Sequence, residues 1–265
     1  MVSPAPSRRQ RRLGQNFLTD PNLLEAIVRE SGLQEGDVAL EFGAGAGALS
    51  ERLAESAAHL HTIEIDRGLA ADLEQLASLP NVSLHWGDAM RIDLTALQPA
   101  PTIVVSNLPY SVAVPLILRT IEDLPSVERW TVMVQREVAE RLRAAPGSRL
   151  YGAPSVLAQT AATVELTRRV PPEVFVPRPR VESAILRLTR TGPGAPPTLR
   201  ALVHDAFAHR RKSLARSLEL VRPGRLQAVR AALAELGVPE QARAESLSPG
   251  DFAALAAKLD PATGD

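Results

Sequence analysis

The chain has 265 residues, enough for one large or two modest domains, each with a core of its own. Its 45% hydrophobic content is ordinary for a globular protein, and no apolar run approaches the roughly 18 residues that span a bilayer. There is no cysteine, which removes disulfides, thiolate metal sites and thiol nucleophiles, including the covalent attack that cytosine C5 chemistry requires.

The first segment, VSPAPSRRQRRLG, is basic but has no apolar core after it, so a secretory signal is not expected and the cytoplasm is. Residues 1–12 read as a disordered basic tail. Asp20 and Pro21 then open a helix, one as N-cap and the other at the first helical position, with Leu23, Leu24, Ile27 and Val28 on its apolar face. Strands are expected at Val38–Phe42, Leu60–Ile65, Val82–Trp86, Ile103–Ser106 and Trp130–Val134. Helices are expected between them at Ala48–Ala57, Leu69–Ala77, Val114–Ile121 and Arg136–Ala144. This alternation predicts an α/β fold, a doubly wound and mostly parallel sheet with helices on both faces. Two further β-rich runs, Ala162–Val170 and Glu182–Thr189, are expected to pair antiparallel at one edge. The Gly- and Pro-rich stretch 191–198 reads as a linker, so the expected domains are 13–190 and a smaller helical one over 199–265.

The formal net charge is zero but unevenly spread. Between Gln34 and Leu94 eleven acids face three arginines, whereas bases cluster at Arg8, Arg9, Arg11 and Arg12, at Arg168, Arg169, Arg178 and Arg180, and at Arg210, Arg211, Lys212 and Arg216. Such separation suggests a polyanion lying across selected faces, although a solvated surface explains any single cluster equally well. The five histidines show no metal-ligand spacing, and no metal is expected.

Three successive strands end in groups suited to one ligand. Glu41-Phe42-Gly43-Ala44-Gly45-Ala46-Gly47 follows the first strand, and its alternate glycines allow a tight turn and close approach to bare backbone. The spacing is GxGxG rather than GxGxxG, and no GKS or GKT follows, which leans away from a pyrophosphate cradle and removes a P-loop. Glu64 closes the next strand 21 residues beyond Gly43, where a carboxylate can accept both hydroxyls of a ribose. Asp88, followed by Ala89, closes the third and can accept from an adenine amino group. Taken singly, each acid reads more readily as a solvated strand end. Together they describe an adenosine without phosphate, and S-adenosylmethionine is that ligand.

The fourth strand ends in Asn107-Leu108-Pro109-Tyr110. The Asn107 side-chain oxygen and a nearby carbonyl can accept both N–H bonds of an exocyclic amino group, while Tyr110 stacks on the base. A strand end with a turn proline and a packed tyrosine explains the tetrapeptide equally well.

On these residues the chain closely resembles the ribosomal RNA adenine dimethyltransferase family. Leu13-Gly14-Gln15-Asn16-Phe17-Leu18 resembles that family's N-terminal cofactor motif. EFGAGAG, IEID, GDAM and NLPY follow in its order and spacing. Val174 to Ser183 resembles its FxPxPxVxS segment, and Phe207 to Lys212 the RRK stretch of its helical domain. The resemblance runs from about Arg11 to about Leu259, with two departures: Ala44 where the family usually has proline, and Ser111 where an asparagine often follows the tyrosine.

The resemblance implies a Rossmann-like class I methyltransferase that dimethylates N6 of two adjacent adenines near the 3′ end of small-subunit rRNA. By position, Asn16, Leu18, Gly43, Gly45, Glu64, Asp88, Ala89 and Asn107 would contact or border S-adenosylmethionine. Asn107, Leu108, Pro109 and Tyr110 would hold the target adenine, and Phe175 would stack or pack on its other side. Arg8, Arg9, Arg11, Arg12, Arg178, Arg180, Arg210, Arg211 and Lys212 would meet phosphates. The implied partners are the rRNA and the immature small subunit, with no membrane; a monomer is expected. Two alternatives stand beside this: a large-subunit adenine methyltransferase of the macrolide-resistance type, which NLPY and FVPRPRVES disfavour, and an idle RNA-binding assembly factor, which has no need of Glu64 or Asp88. A nicotinamide dehydrogenase is disfavoured by the glycine spacing.

Overall fold

A computed structural model describes residues 16–259. The described residues divide into two compact units, one running through Ala139 and resuming over Val164–Arg190, the other formed by Glu140–Thr163 and the described residues from Thr191 on. The second unit therefore starts earlier than the expected 199 and takes in a stretch expected to belong to the first.

The first unit is built on a seven-stranded sheet of β2 (Val38–Phe42), β3 (His59–Glu64), β4 (Val82–Trp86), β5 (Ile103–Asn107), β6 (Arg129–Gln135), β7 (Ala162–Val170) and β9 (Ser183–Arg190). Their order is β4-β3-β2-β5-β6-β9-β7. The first five are mutually parallel and β9 runs antiparallel to β6. Strand β2 is buried at every position, as a central parallel strand covered on both faces must be. The order reverses between β2 and β5, which opens a crevice at their carboxyl ends.

Helix α1 (Pro21–Ser31) starts and stops as the sequence dictates. The Asp20 carboxylate accepts from the Leu23 amide at 2.9 Å, and Gly32 ends the helix at φ +63°. Helices α2 (Ala48–Ser56) and α4 (Ala113–Asp123) match their expected spans closely. The expected helix over 69–77 is broken: a 3₁₀ turn (Arg67–Leu69) precedes the single turn α3 (Glu74–Ala77). Asp66 Oδ1 accepts from the Gly68 amide, so the chain is committed to a capped turn before the helical pattern begins.

The sequence pattern does not reveal a two-stranded ladder in which β1 (Phe17–Leu18) pairs antiparallel with β8 (Phe175–Val176). The Thr19 amide and hydroxyl both donate to the Val174 carbonyl and extend the clasp.

The second unit holds α6 (Ala153–Ala161), α7 (Pro197–Ala208), α8 (Leu214–Val221), α9 (Leu226–Glu235) and α10 (Pro249–Leu259); α5 (Arg136–Leu142) straddles the boundary. Helix α6 was not expected. Its Val156, Leu157, Ala158 and Ala161 are buried against α7 and α10, which moves this stretch into the second unit. Helix α7 begins at Pro197, two residues inside the expected linker.

Two buried titratable side chains of the sheet pull stability in opposite directions with pH. His61 is 1% exposed, its Nε2 donates to the Pro99 carbonyl at 2.9 Å, and its Nδ1 faces His85 Nε2 at 3.1 Å. Because Nε2 is the donor, neutral His61 accepts at Nδ1. Burial, with the like charges of His59 and His85, pushes its pKa down to about 4. The unfolded chain binds more protons than the native one between about pH 6.5 and 4, so this stabilisation is present above 6.5 and is lost as the pH falls. Glu41 in β2 behaves oppositely. Burial pushes its carboxyl up to about 7, against bonds from Ser50 and Thr62 and aided by the nearby Glu64, so its contribution is lost as the pH rises. The two cancel in the wild type, but a comparison with His61→Leu separates them. In urea unfolding, the stability of wild type relative to the variant is expected to fall by about 3 kcal/mol from pH 7 to pH 4. A constant difference across that range would remove His61 as the source.

Candidate active site

The glycine loop after β2 uses backbone that side chains do not allow. Gly43, Gly45 and Gly47 all have positive φ (81°, 58° and 87°), which explains their alternate spacing. A Cβ on Gly45 would lie 3.2 Å from the Phe17 ring, so β1 closes on the loop itself. Helix α2 starts at Ala48 with Gly47 as a cap that has no side chain, leaving its first amides to whatever lies over the loop.

Glu64 ends β3 with 2% of its surface exposed. Its Oε2 accepts from the Gly45 amide at 3.0 Å and its Oε1 from the Asp66 amide at 2.8 Å. The carboxylate thus ties the glycine loop to β3 while each oxygen keeps a further lone pair. Behind it, Glu41 Oε2 accepts from Ser50 Oγ at 2.5 Å and Thr62 Oγ1 at 2.9 Å. Beyond β4, Asp88 Oδ1 accepts from the Met90 amide at 2.9 Å.

At the end of β5 each group of the tetrapeptide has a separate task. Asn107 Nδ2 donates to the Asn16 carbonyl at 3.2 Å, which leaves Oδ1 without a donor among the described residues. The Leu108 amide donates to the Met133 carbonyl and the Pro109 carbonyl accepts from the Val112 amide. The Leu108 carbonyl takes no backbone bond among the described residues. Two acceptors, Asn107 Oδ1 and Leu108 O, therefore remain at consecutive residues. The Tyr110 hydroxyl shares a proton contact of 2.5 Å with Ser183 Oγ, which fixes the ring, and burial pushes the phenol pKa up against that bond. Tyr110 is thus neutral at physiological pH and positions rather than titrates.

These groups surround one cavity of about 330 Å³, within the range of small-molecule sites. Its wall contains Asn16, Leu18, Gly43, Gly45, Glu64, Asp88, Ala89, Asn107, Leu108, Pro109 and Tyr110, so the whole set drawn from the strand ends converges. Among the described residues no Lys or Arg lines it, while three carboxyls do. A pyrophosphate would be repelled there, whereas a nucleoside with a positive charge and no phosphate fits. The residues present therefore suit S-adenosylmethionine: Glu64 and Asp88 would offer acceptors to its hydroxyl and amino groups above the glycine loop.

A family model described as ribosomal RNA adenine dimethylase matches residues 7–260. The chain belongs to that family. Among relatives in it, the ribosomal RNA small subunit methyltransferase A of Rubrobacter xylanophilus is 45% identical, over 98% of either chain. That of Alcanivorax borkumensis is 40% identical over 94% of this chain and 89% of its own. Of solved structures, a dimethyladenosine transferase from Plasmodium falciparum superposes with a TM-score of 0.78 at 22% identity, covering 90% of this chain and 95% of its own, a likeness of fold. The 23S rRNA methyltransferase ErmE gives 0.66 at 27% identity, covering 92% and 100%. The class I methyltransferase fold expected from the sequence is the fold of this family member.

Not every expected site residue joins the cavity. Phe175 is 2% exposed, pairs with Leu18 in the β1–β8 ladder and belongs to the core, so its ring is closed to a base in this structure. Arg178 and Arg180 are exposed on the loop after β8, with Arg178 paired to Glu173. Arg210, Arg211 and Lys212 are exposed in the second unit, where Arg210 donates to the Tyr151 carbonyl at 2.8 Å and meets Glu245. Arg8, Arg9, Arg11 and Arg12 lie outside the described residues, as do Leu13 to Gln15 of the N-terminal motif.

The cavity also has a member that sequence reasoning missed. Ile65 was expected to end a strand, but β3 stops at Glu64 and Ile65 stands 48% exposed in the cavity wall. An apolar residue between two acids just past a parallel strand was the available signal. Its exposed apolar side chain offers van der Waals contact to a ligand in the cavity.

Proposed function

We propose that this protein transfers methyl groups from S-adenosylmethionine to N6 of two adjacent adenines near the 3′ end of small-subunit rRNA. The observation that carries this reading is the pair of acceptors, Asn107 Oδ1 and Leu108 O, at the edge of a carboxylate-lined nucleoside cavity. The family and its small-subunit relatives, at 37–45% identity, support the choice of RNA. The reading carries with it a cytoplasmic monomer acting on the immature small subunit.

When bound, S-adenosylmethionine supplies a methyl group on a sulfonium whose departure leaves a neutral thioether. The protein's part is aim. An adenine N6 is a poor nucleophile because its lone pair is delocalised into the ring. Asn107 Oδ1 and Leu108 O each accept one amino N–H, which draws the nitrogen toward a tetrahedral geometry and eases the later loss of a proton. Tyr110, held by Ser183, supplies a stacking face, and Pro109 stiffens the turn between them. Fixing the reactants in this way can lower a barrier by about 7–11 kcal/mol without a strong base. A base stacked in a duplex does not reach such a site, so the target adenines are unpaired or flipped out. We assign the phosphate contacts to the N-terminal arginines, to Arg178 and Arg180, and to Arg210, Arg211 and Lys212.

The test is transfer of labelled methyl groups to unmethylated small-subunit particles and, separately, to large-subunit rRNA, with mapping of the modified nucleoside. N6,N6-dimethyladenosine at two adjacent positions in the small subunit is the expected result. Label on the large-subunit RNA alone would overturn the choice of RNA. No label on either, with cofactor bound, would reduce the protein to an assembly factor.

A further inference from the structure

Between β4 and the 3₁₀ turn at Leu94–Ala96 the chain makes one tight turn, and that turn carries Asp88 and Ala89 into the cavity wall. Asp88 organises its beginning. The Asp88 carbonyl accepts from the amides of Arg91 and Ile92, and its carboxylate Oδ1 from the amide of Met90. The end of such a turn leaves carbonyls without donors, and here they are the carbonyls of Ala89 and Ile92. Neither is satisfied from within the turn. A side chain from another element meets both.

That side chain is Arg119, a half-buried residue of α4. Its Nη1 donates to the Ala89 carbonyl at 2.7 Å and its Nη2 to the Ile92 carbonyl at 2.5 Å. Its Nε donates to Asp123 Oδ2 at 3.0 Å, one helical turn on, which holds the guanidinium plane. Every nitrogen of the group is thus engaged, and only 20% of the side chain is exposed. The planar fork matches two carbonyls three residues apart in a way that a point charge does not. Arg119 does not line the cavity.

We propose that Arg119 is a positioning residue for recognition of the cofactor's adenine. It seals the far end of the 88–92 turn, and the Asp88 carboxylate, locked to that turn through the Met90 amide, is thereby presented to the purine amino group. The ribose end is independent of it, because Glu64 is held by the Gly45 and Asp66 amides. This rests on reading the cavity as the S-adenosylmethionine site.

A purely structural role would weaken every ligand alike; a positioning role weakens only those that use the adenine amino group. The full chain and its variants Arg119→Met, Arg119→Lys and Asp88→Ala are titrated calorimetrically with S-adenosylhomocysteine and with S-inosylhomocysteine, in which the 6-amino group is an oxo group. Wild type is expected to prefer the adenine compound by about tenfold, the scale of one lost polar contact. In Arg119→Met the affinity for S-adenosylhomocysteine falls about tenfold, that for the inosine compound changes less than about twofold, and the preference collapses. Arg119→Lys, which can reach one carbonyl, recovers part of it. Both ligands are measured on one preparation, so their ratio is insensitive to the fraction folded, and Arg119→Lys carries the test where the methionine variant does not fold. Equal losses for the two ligands, or none, would overturn the assignment. Loss of preference in Asp88→Ala but not in either Arg119 variant overturns Arg119 alone. An unaltered Asp88→Ala overturns the reading of the cavity beneath it.

Discussion

Asn107→Ala is expected to lower methyl transfer at saturating cofactor by about 10²–10³-fold, the usual cost of removing one preorganised polar group that acts in the transition state. On the proposed reading, the change deletes one of the two acceptors for the target amino group and leaves Leu108 O in place. It also deletes the bond from Nδ2 to the Asn16 carbonyl, a neutral bond worth about 1 kcal/mol, so cofactor affinity should fall by only about fivefold. The signature is therefore a collapse of single-turnover rate beside a cofactor Kd that stays measurable. Asn107→Asp is a sharper probe. It keeps an acceptor for the amino group, but its second oxygen faces the Asn16 carbonyl, so the rate should recover partly while the cofactor wall loosens. Single-turnover transfer and calorimetric binding on the same preparations check both. A rate in Asn107→Ala within threefold of wild type would remove Asn107 from the chemistry.

The parallel strands were legible because a buried strand in a doubly wound sheet is an almost continuous apolar run. Val38–Phe42, buried throughout, matches residue for residue. The edge strand Val82–Trp86 also matches, although its residues alternate and only Val82 is buried. Their carboxyl ends were legible for a related reason. The polar residue that interrupts each run, Glu64 or Asn107, is where the chain leaves the core, and the topology brings those points to one crevice. Elements that depend on distant pairing were not legible. Strands β1 and β8 are two residues long, too short for alternation to register, and the Thr19–Val174 bond that extends them joins positions 155 apart in sequence. Phe175 follows from this. Its register opposite Leu18 buries it, and nothing local in FVPRPRVES distinguishes a buried ring from one offered to a base.

Helix α6 escaped notice because it is apolar almost all round, with Val156, Leu157, Ala158 and Ala161 buried, and such a stretch has no polar face to mark its period. Missing it misplaced the boundary between the units. Arg119 was invisible for another reason. Its importance lies in two backbone carbonyls some thirty residues away, and backbone groups have no signature in a sequence.

Glu64→Ala is expected to raise the Kd for S-adenosylmethionine at least about 100-fold, since two charge-assisted bonds to ribose hydroxyls are worth about 1.5–3 kcal/mol each. The variant also exposes how the site is built. Glu64 accepts the Gly45 and Asp66 amides, and with the side chain gone one amide of the glycine loop and one just past β3 lose their partner at a position where the carboxylate was 2% exposed. Each unsatisfied donor costs about 1–3 kcal/mol. Part of that is offset, because Glu64 repels the buried Glu41 and its removal lets Glu41 ionise more readily. Urea unfolding should then show a net loss of about 1–4 kcal/mol. Glu64→Gln tests whether charge or shape matters. Glutamine fills the same space, but its amide nitrogen must face one of the two backbone N–H groups, donor against donor, so the substitution should rescue neither affinity nor stability fully. Calorimetric titration of the folded variants with S-adenosylmethionine decides the matter. An alanine variant that binds within threefold of wild type would mean the ribose is not held at Glu64, and a glutamine variant equal to wild type in both measurements would mean that only one of its oxygens is used.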